Sequence, residues 1–151
     1  MRTFMRLALI ALAATIVRIA GQLCIPAGRQ SVLAPSIFAQ NGTMPAAFTV
    51  YGLLAYGLIA AMFLLVRDGI PGRGPVRGLK YGLSCCAVWV VYLWEPLPHV
   101  APLDRITYPL ADGAALLVMG LLCGALLPAR AAVRRTPLRL LPAAAVAVCF
   151  W

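Results

Sequence analysis

The sequence predicts an all-α fold: a polytopic integral membrane helical bundle with four transmembrane helices and a short fifth hydrophobic helix at the C-terminus. The first observation is the composition, since 63% of the 151 residues are hydrophobic and 11% are charged, against about 45–50% and about 25% in soluble domains. The second is the spacing of the apolar runs, several of which approach the roughly 20 residues that a helix needs to cross a bilayer. We therefore expect one transmembrane domain over residues 1–151, with the lipid bilayer as its surrounding partner.

The first span is predicted over residues 7–25. Arg2 and Arg6 precede it, and Pro26 ends it. Its first part, Leu7–Val17, has the length of a signal-peptide core, but no small-x-small cleavage site follows and apolar residues continue beyond it. We therefore expect this helix to be retained in the protein.

The second span, residues 46–66, contains no charged residue. It follows Pro45, which suits the first turn of a helix because the amide N–H that proline lacks has no partner there. The preceding residues 28–44 are polar to mixed, and they predict a loop with a short interfacial helix near Ser36–Gln40.

The third span, residues 81–95, follows the sequence Arg67–Lys80, whose glycines and prolines predict a loop. It ends near Tyr92 and Trp94, aromatic residues of the kind that mark the membrane interface. The fourth span is predicted over residues 106–127.

The last hydrophobic segment, residues 140–151, covers twelve residues, which make about 18 Å of helix. The hydrocarbon core of a bilayer is about 30 Å thick. Three alternatives stay open: a tilted partial span, a re-entrant piece, or a helix that continues beyond the given chain.

The basic residues predict the orientation. Ten of the 13 Lys and Arg lie at the N-terminus, in residues 67–80 and in residues 128–139, whereas the intervening loops hold only Arg29 and Arg105. Because Lys and Arg collect in cytoplasmic loops, we place the N-terminus in the cytoplasm and expect a bacterial cytoplasmic (inner) membrane. The net charge of +9 does not indicate nucleic acid, since basic patches for that purpose lie on soluble faces.

Three ionisable residues lie within or at the edge of the predicted spans. A charge at the centre of a membrane helix costs about 2.5–3.5 kcal/mol on insertion scales, so such residues need partners. Counted from the outer ends of their spans, Arg18 and Asp112 lie about 12 and 9 Å deep, and Glu95 lies at the outer rim. The main hypothesis is an outward-opening polar cavity that forms a ligand or ion pathway, lined by Arg18, Gln22, Tyr92, Glu95, Tyr108 and Asp112.

A structural role is the alternative for these charges. If the fourth helix begins at Pro109, Asp112 lies in its first turn, where free amides and the helix dipole stabilise a carboxylate. Arg18 could extend alone along its helix to the surface, or the two residues could form a structural salt bridge.

Two further patterns have a structural and a functional interpretation. Gly120 with Gly124, and Gly57 with Ala61, have the spacing that lets membrane helices approach closely. Packing within the chain explains both pairs, and self-association into a homo-oligomer is the alternative.

Three cysteines, Cys85, Cys86 and Cys123, lie at similar depths near the predicted cytoplasmic ends. Buried thiols usually act as small hydrophobes, and a relay for a soft metal such as copper(I) or zinc is the alternative. The vicinal pair resembles that of small mercury-uptake proteins, which implies metal transport.

Catalytic motifs are absent from the sequence: it contains no Walker loop, dinucleotide fingerprint or zinc-protease motif. A membrane enzyme that uses Glu95, His99 and Asp104 is an alternative, but an enzyme is not the expected function, and no cofactor is indicated. We expect a small transporter, channel or ligand-binding membrane protein with its polar site in the outer half of the bundle. The alternative is a non-catalytic subunit or assembly factor of a larger membrane complex.

Overall fold

The computed structural model describes residues 1–24, 34–93 and 103–128. Helices make up 84% of this described part, which contains no strand, so the all-α class is confirmed there. The helices are α1 (Arg2–Cys24), α2 (Ile37–Gln40), α3 (Met44–Val66), α4 (Gly74–Leu93) and α5 (Asp104–Leu126).

Three of the described helices, α1, α3 and α5, are long and apolar enough to cross a membrane. Membrane integration is therefore supported, but the predicted count of four spans plus a fifth is not confirmed. The helix α4 has 20 residues, and its first turns carry Arg77 and Lys80, which lower its hydropathy. The predicted segment 140–151 lies outside the described residues.

The predicted loop Arg67–Lys80 is wrong in its second half, because α4 already begins at Gly74. Side chains from the first turns of α4 bond back to the loop before it. Arg77 donates from Nε to the Ile70 carbonyl at 3.0 Å and from Nη2 to the Gly72 carbonyl at 2.7 Å. These bonds satisfy carbonyl groups of the turn, and glycine at position 72 permits its positive φ of 127°.

The short helix α2 lies where the sequence predicted one. Ser36 caps it, since its hydroxyl accepts a hydrogen bond from the Ala39 amide at 3.3 Å. Its residues are exposed, and its position at a membrane interface remains a prediction.

The four long helices pack as antiparallel neighbours in the spatial order α3, α1, α5, α4. On one side of α1, Gly52 of α3 lies against Thr15. On its other side, Gly21 lies against Ala111 of α5. Small residues fill much of the core, namely Ala11, Ala14, Ala60 and Ala115. The largest fully buried side chains are those of Ile10, Phe63, Met119 and Cys123.

Glycines bring the backbones of α4 and α5 together. A Cβ atom added at Gly78 would lie 2.0 Å from the Gly120 carbonyl oxygen, and one added at Gly124 would lie 2.3 Å from the Gly74 carbonyl oxygen. Gly82 also lies against Gly120. We call these five residues the glycine seam. Gly120 and Gly124 therefore pack within the chain and are buried there, as small residues at membrane-helix interfaces do.

The second predicted small-residue pair also has a neighbour within the chain. A Cβ added at Gly57 would lie 3.7 Å from Ala11 of α1, which is ordinary contact. Both small-residue pairs therefore have packing partners within the chain. Self-association of several copies stays a prediction.

Candidate polar site between α1, α4 and α5

A salt bridge joins two helices of the bundle. Arg18 of α1 donates from Nε to Oδ1 of Asp112 of α5. The side chains are 16% and 12% exposed, so the pair is mostly buried but not sealed. The two residues that the sequence analysis placed at similar depth are in direct contact.

The other functional groups of this cluster come from all three helices. Trp89 of α4 donates its indole N–H to Oδ2 of Asp112 at 2.8 Å, and Arg18 donates from Nη1 to Oε1 of Gln22 at 2.8 Å. The Arg18 guanidinium also lies over the Tyr108 ring, 5.8 Å from its centroid, within cation–π range. Asp112 therefore accepts bonds from α1 and from α4.

Helical periodicity explains why these side chains meet. Arg18 and Gln22 are four residues apart on α1, and Asp104, Tyr108 and Asp112 repeat every four residues on α5, so each set shares one helix face. Tyr108 lies close enough to Gln22 for a side-chain hydrogen bond. We call these five residues the polar track. It extends along two facing helices from the ion pair towards their common end.

The ion pair lies in one half of the helices. Arg18 is six residues before the end of α1 and Asp112 eight residues after the start of α5, or about 9 and 12 Å from those ends. Half of a bilayer core is about 15 Å. The cluster therefore lies in the half of the bundle that is opposite to Arg2 and Arg6, closer to the helix ends than half the thickness of a bilayer core.

Two structural alternatives from the sequence are wrong. The helix α5 begins at Asp104, with Pro109 inside it, so Asp112 is in its third turn and beyond the reach of first-turn amides. Nor does Arg18 extend alone to the surface, because its guanidinium is bonded to Asp112. The structure shows a salt bridge between the helices α1 and α5.

The structure adds two residues that sequence reasoning did not assign to the site. Trp89 could have been suspected, because a partly buried indole N–H needs a hydrogen-bond acceptor and the side chains of α4 offer few acceptors. Asp104, which is 5% exposed, could have been found from its four-residue spacing to Tyr108. Of the remaining candidates, Glu95, His99 and the side chain of Tyr92 lie outside what the structure describes.

In the part of the chain that the structure describes, Cys85, Cys86 and Cys123 are not grouped as a metal site. Cys85 lies next to Tyr81 and Cys123, whereas the Cys86 sulfur faces the backbone at Gly113, 3.1 Å from the position of an added Cβ. Among the described residues there is no group of three or more His, Cys, Asp or Glu that could hold a metal ion. The three-thiol relay therefore has no support from the geometry.

The chain was compared with known proteins at three levels. No protein-family model, no curated protein and no solved structure matches it. Functional inference therefore rests on the polar track and its position in the bundle.

Proposed function

We propose that this protein is a small membrane transporter, channel or ligand-binding protein in which the polar track is the pathway or binding site. The observation that carries the proposal is the partly accessible ion pair between Arg18 and Asp112, cross-linked to a third helix by Trp89. The track ends in the half of the bundle that the positive-inside rule assigns to the outer side of a bacterial cytoplasmic membrane.

Energetics favour a functional role for the pair. Each charge at membrane depth costs about 2.5–3.5 kcal/mol, and a buried pair often contributes no more to stability than well-packed apolar residues of similar volume. The helices α1 and α5 also have an apolar contact that holds them together, since Gly21 of α1 lies against Ala111 of α5. Ionisable residues inside membrane segments typically mark pathways for ions, protons or polar ligands.

The side chains of the polar track also have the chemistry that binding an ion or a polar ligand requires. Asp112 can take up a proton or a cation when its bond from Arg18 is released, and Arg18 can then attract an anionic group. Gln22 and Tyr108 provide neutral polar groups one turn closer to the helix ends, and the buried carboxyl of Asp104 follows after another turn. An ion entering from that end would meet a polar group at each turn.

The experiment is ion flux in proteoliposomes. The purified protein is reconstituted into vesicles loaded with a dye sensitive to the ion under test, and proton, potassium and chloride gradients are imposed in turn. We expect flux of one of these ions with the native protein, and a loss of at least tenfold in both Asp112→Asn and Arg18→Gln. Asp68→Asn, which removes a carboxyl at the opposite end of the bundle, should leave the flux unchanged.

The double variant Arg18→Gln/Asp112→Asn separates function from folding. Replacing both charges by neutral groups of similar shape leaves no uncompensated charge, so the bundle should fold even if a single variant does not. We expect it to fold and to lose the flux. Flux retained in the folded double variant contradicts the proposed pathway. If native protein carries no flux and the double variant instead loses a co-purifying membrane protein, the subunit or assembly-factor alternative is favoured.

A further inference from the structure

The basic end of the bundle carries a feature that the positive-inside rule does not explain. That rule requires only that Lys and Arg be numerous on one side, and it makes no demand for burial. Yet Arg67, at the C-terminal end of α3, is 6% exposed, and Arg77 in α4 is 8% exposed. Buried arginines need partners for their N–H groups and for their charge.

These two arginines lie at the same level on α3 and α4, which follow each other along the chain. One turn deeper, the rings of Phe63 in α3 and Tyr81 in α4 are in contact, with centroids 5.2 Å apart, and the Tyr81 hydroxyl donates to the Ile59 carbonyl at 2.6 Å. Because α3 and α4 run in opposite directions, one turn towards the basic end leads to Arg67 on one helix and Arg77 on the other. Two buried cations thus share one level of the bundle.

The two arginines differ in how their donors are used. Arg77 bonds to the Ile70 and Gly72 carbonyls. By contrast, Nε of Arg67 is buried and has no hydrogen-bond partner among the described residues. An unsatisfied buried donor is costly, and more so on a charged group.

We infer that Arg67 is the centre of a binding site for the phosphate headgroup of an anionic phospholipid. A guanidinium binds phosphate oxygens through charge-assisted, often paired hydrogen bonds, and basic pockets between membrane helices commonly bind lipid headgroups. The helix ends at this level lie where headgroups lie in a bilayer, and Arg2, Arg6, Arg73 and Lys80 add to the positive potential. The inference does not depend on the proposed transport function.

The test is the thermal stability of the full-length protein in nanodiscs. We expect the unfolding midpoint to be about 2–4 °C higher in an equal mixture of phosphatidylcholine and phosphatidylglycerol than in phosphatidylcholine alone. Arg67→Gln should abolish this rise, whereas Arg73→Gln, which removes one exposed basic residue from the same end, should keep most of it. Inorganic phosphate added to phosphatidylcholine nanodiscs should not reproduce it.

Three outcomes would overturn the inference: no rise with the anionic lipid, an equal loss in both variants, which indicates diffuse surface attraction, or a full rise with inorganic phosphate. If Arg67→Gln does not fold, native mass spectrometry of the unaltered protein replaces it. Protein released from the mixed nanodiscs should then retain phosphatidylglycerol in preference to phosphatidylcholine, and equal retention of both lipids contradicts the site.

Discussion

The glycine seam makes a strong prediction about stability at Gly78. In Gly78→Ala the new Cβ would lie 2.0 Å from the Gly120 carbonyl oxygen, 2.6 Å from the Gly124 nitrogen and 2.8 Å from the Gly124 Cα. All three atoms belong to the α5 backbone, so no side-chain rotation relieves the clash. Ordinary contact begins near 3.4 Å, and the two helices must therefore move apart locally by about 1.4 Å.

The magnitude follows from two opposing terms. Overpacking a close interface costs about 1–3 kcal/mol, and the higher helix propensity of alanine returns up to about 1 kcal/mol. Gly57→Ala is the matched control, because its Cβ would lie 3.7 Å from Ala11 and it gains the same propensity without a clash. We expect the free energy of unfolding of Gly78→Ala to be about 2 kcal/mol below that of Gly57→Ala.

The assay is reversible unfolding of full-length protein in mixed micelles, followed by helix content as the fraction of denaturing detergent rises. Gly78→Ala should unfold at a lower detergent fraction than the native protein, and Gly57→Ala at the same fraction or a higher one. Equal midpoints for the two variants would refute the reasoning, because α4 and α5 would then not be in backbone contact at this position.

Two further predictions concern single hydrogen bonds. Trp89→Phe removes the indole donor to the Asp112 carboxylate, and it should lower the free energy of unfolding by about 1.5–3 kcal/mol, the range for a bond to a charged group. An unchanged value in the same detergent titration would contradict the presence of this bond in the folded protein. Tyr81→Phe removes only the hydrogen bond from the hydroxyl to the Ile59 carbonyl, and the ring contact with Phe63 can persist. We therefore expect the free energy of unfolding to fall by about 0.5–1.5 kcal/mol. A fall as large as that of Trp89→Phe would contradict this prediction.

The elements that sequence reasoning predicted well are those with uninterrupted apolar residues. The helix α3 begins and ends within two residues of the predicted span 46–66, because Pro45 marks its start and no charge interrupts it. The start of α4 was missed by seven residues, because glycine and proline normally indicate a loop. In this chain glycines between Gly74 and Gly82 are needed for close packing on α5, so the residues that suggested a break are the ones that build the interface.

The polar site could be predicted only in part. Arg18 and Asp112 were brought together by their similar depth, since a charge in hydrocarbon requires a partner and the sequence offered few. Trp89 was missed because its contribution depends on the rotation of α4, which is set by the glycine seam rather than by polarity. No pattern within the α4 sequence indicates by itself how the helix is rotated about its axis.

The seam and the ion pair therefore have different roles in the bundle. The seam fixes α4 against α5 through backbone contact, and in doing so it places the Trp89 indole at 2.8 Å from the Asp112 carboxylate. The ion pair connects α5 to α1, where Gly21, three residues after Arg18, packs closely against Ala111, which is next to Asp112. Close packing of small residues thus contributes to the contacts of α5 with both α4 and α1, in addition to the charges. We therefore propose that this carboxylate and guanidinium, from which the polar track leads to the nearer end of the bundle, serve to bind a ligand or ion.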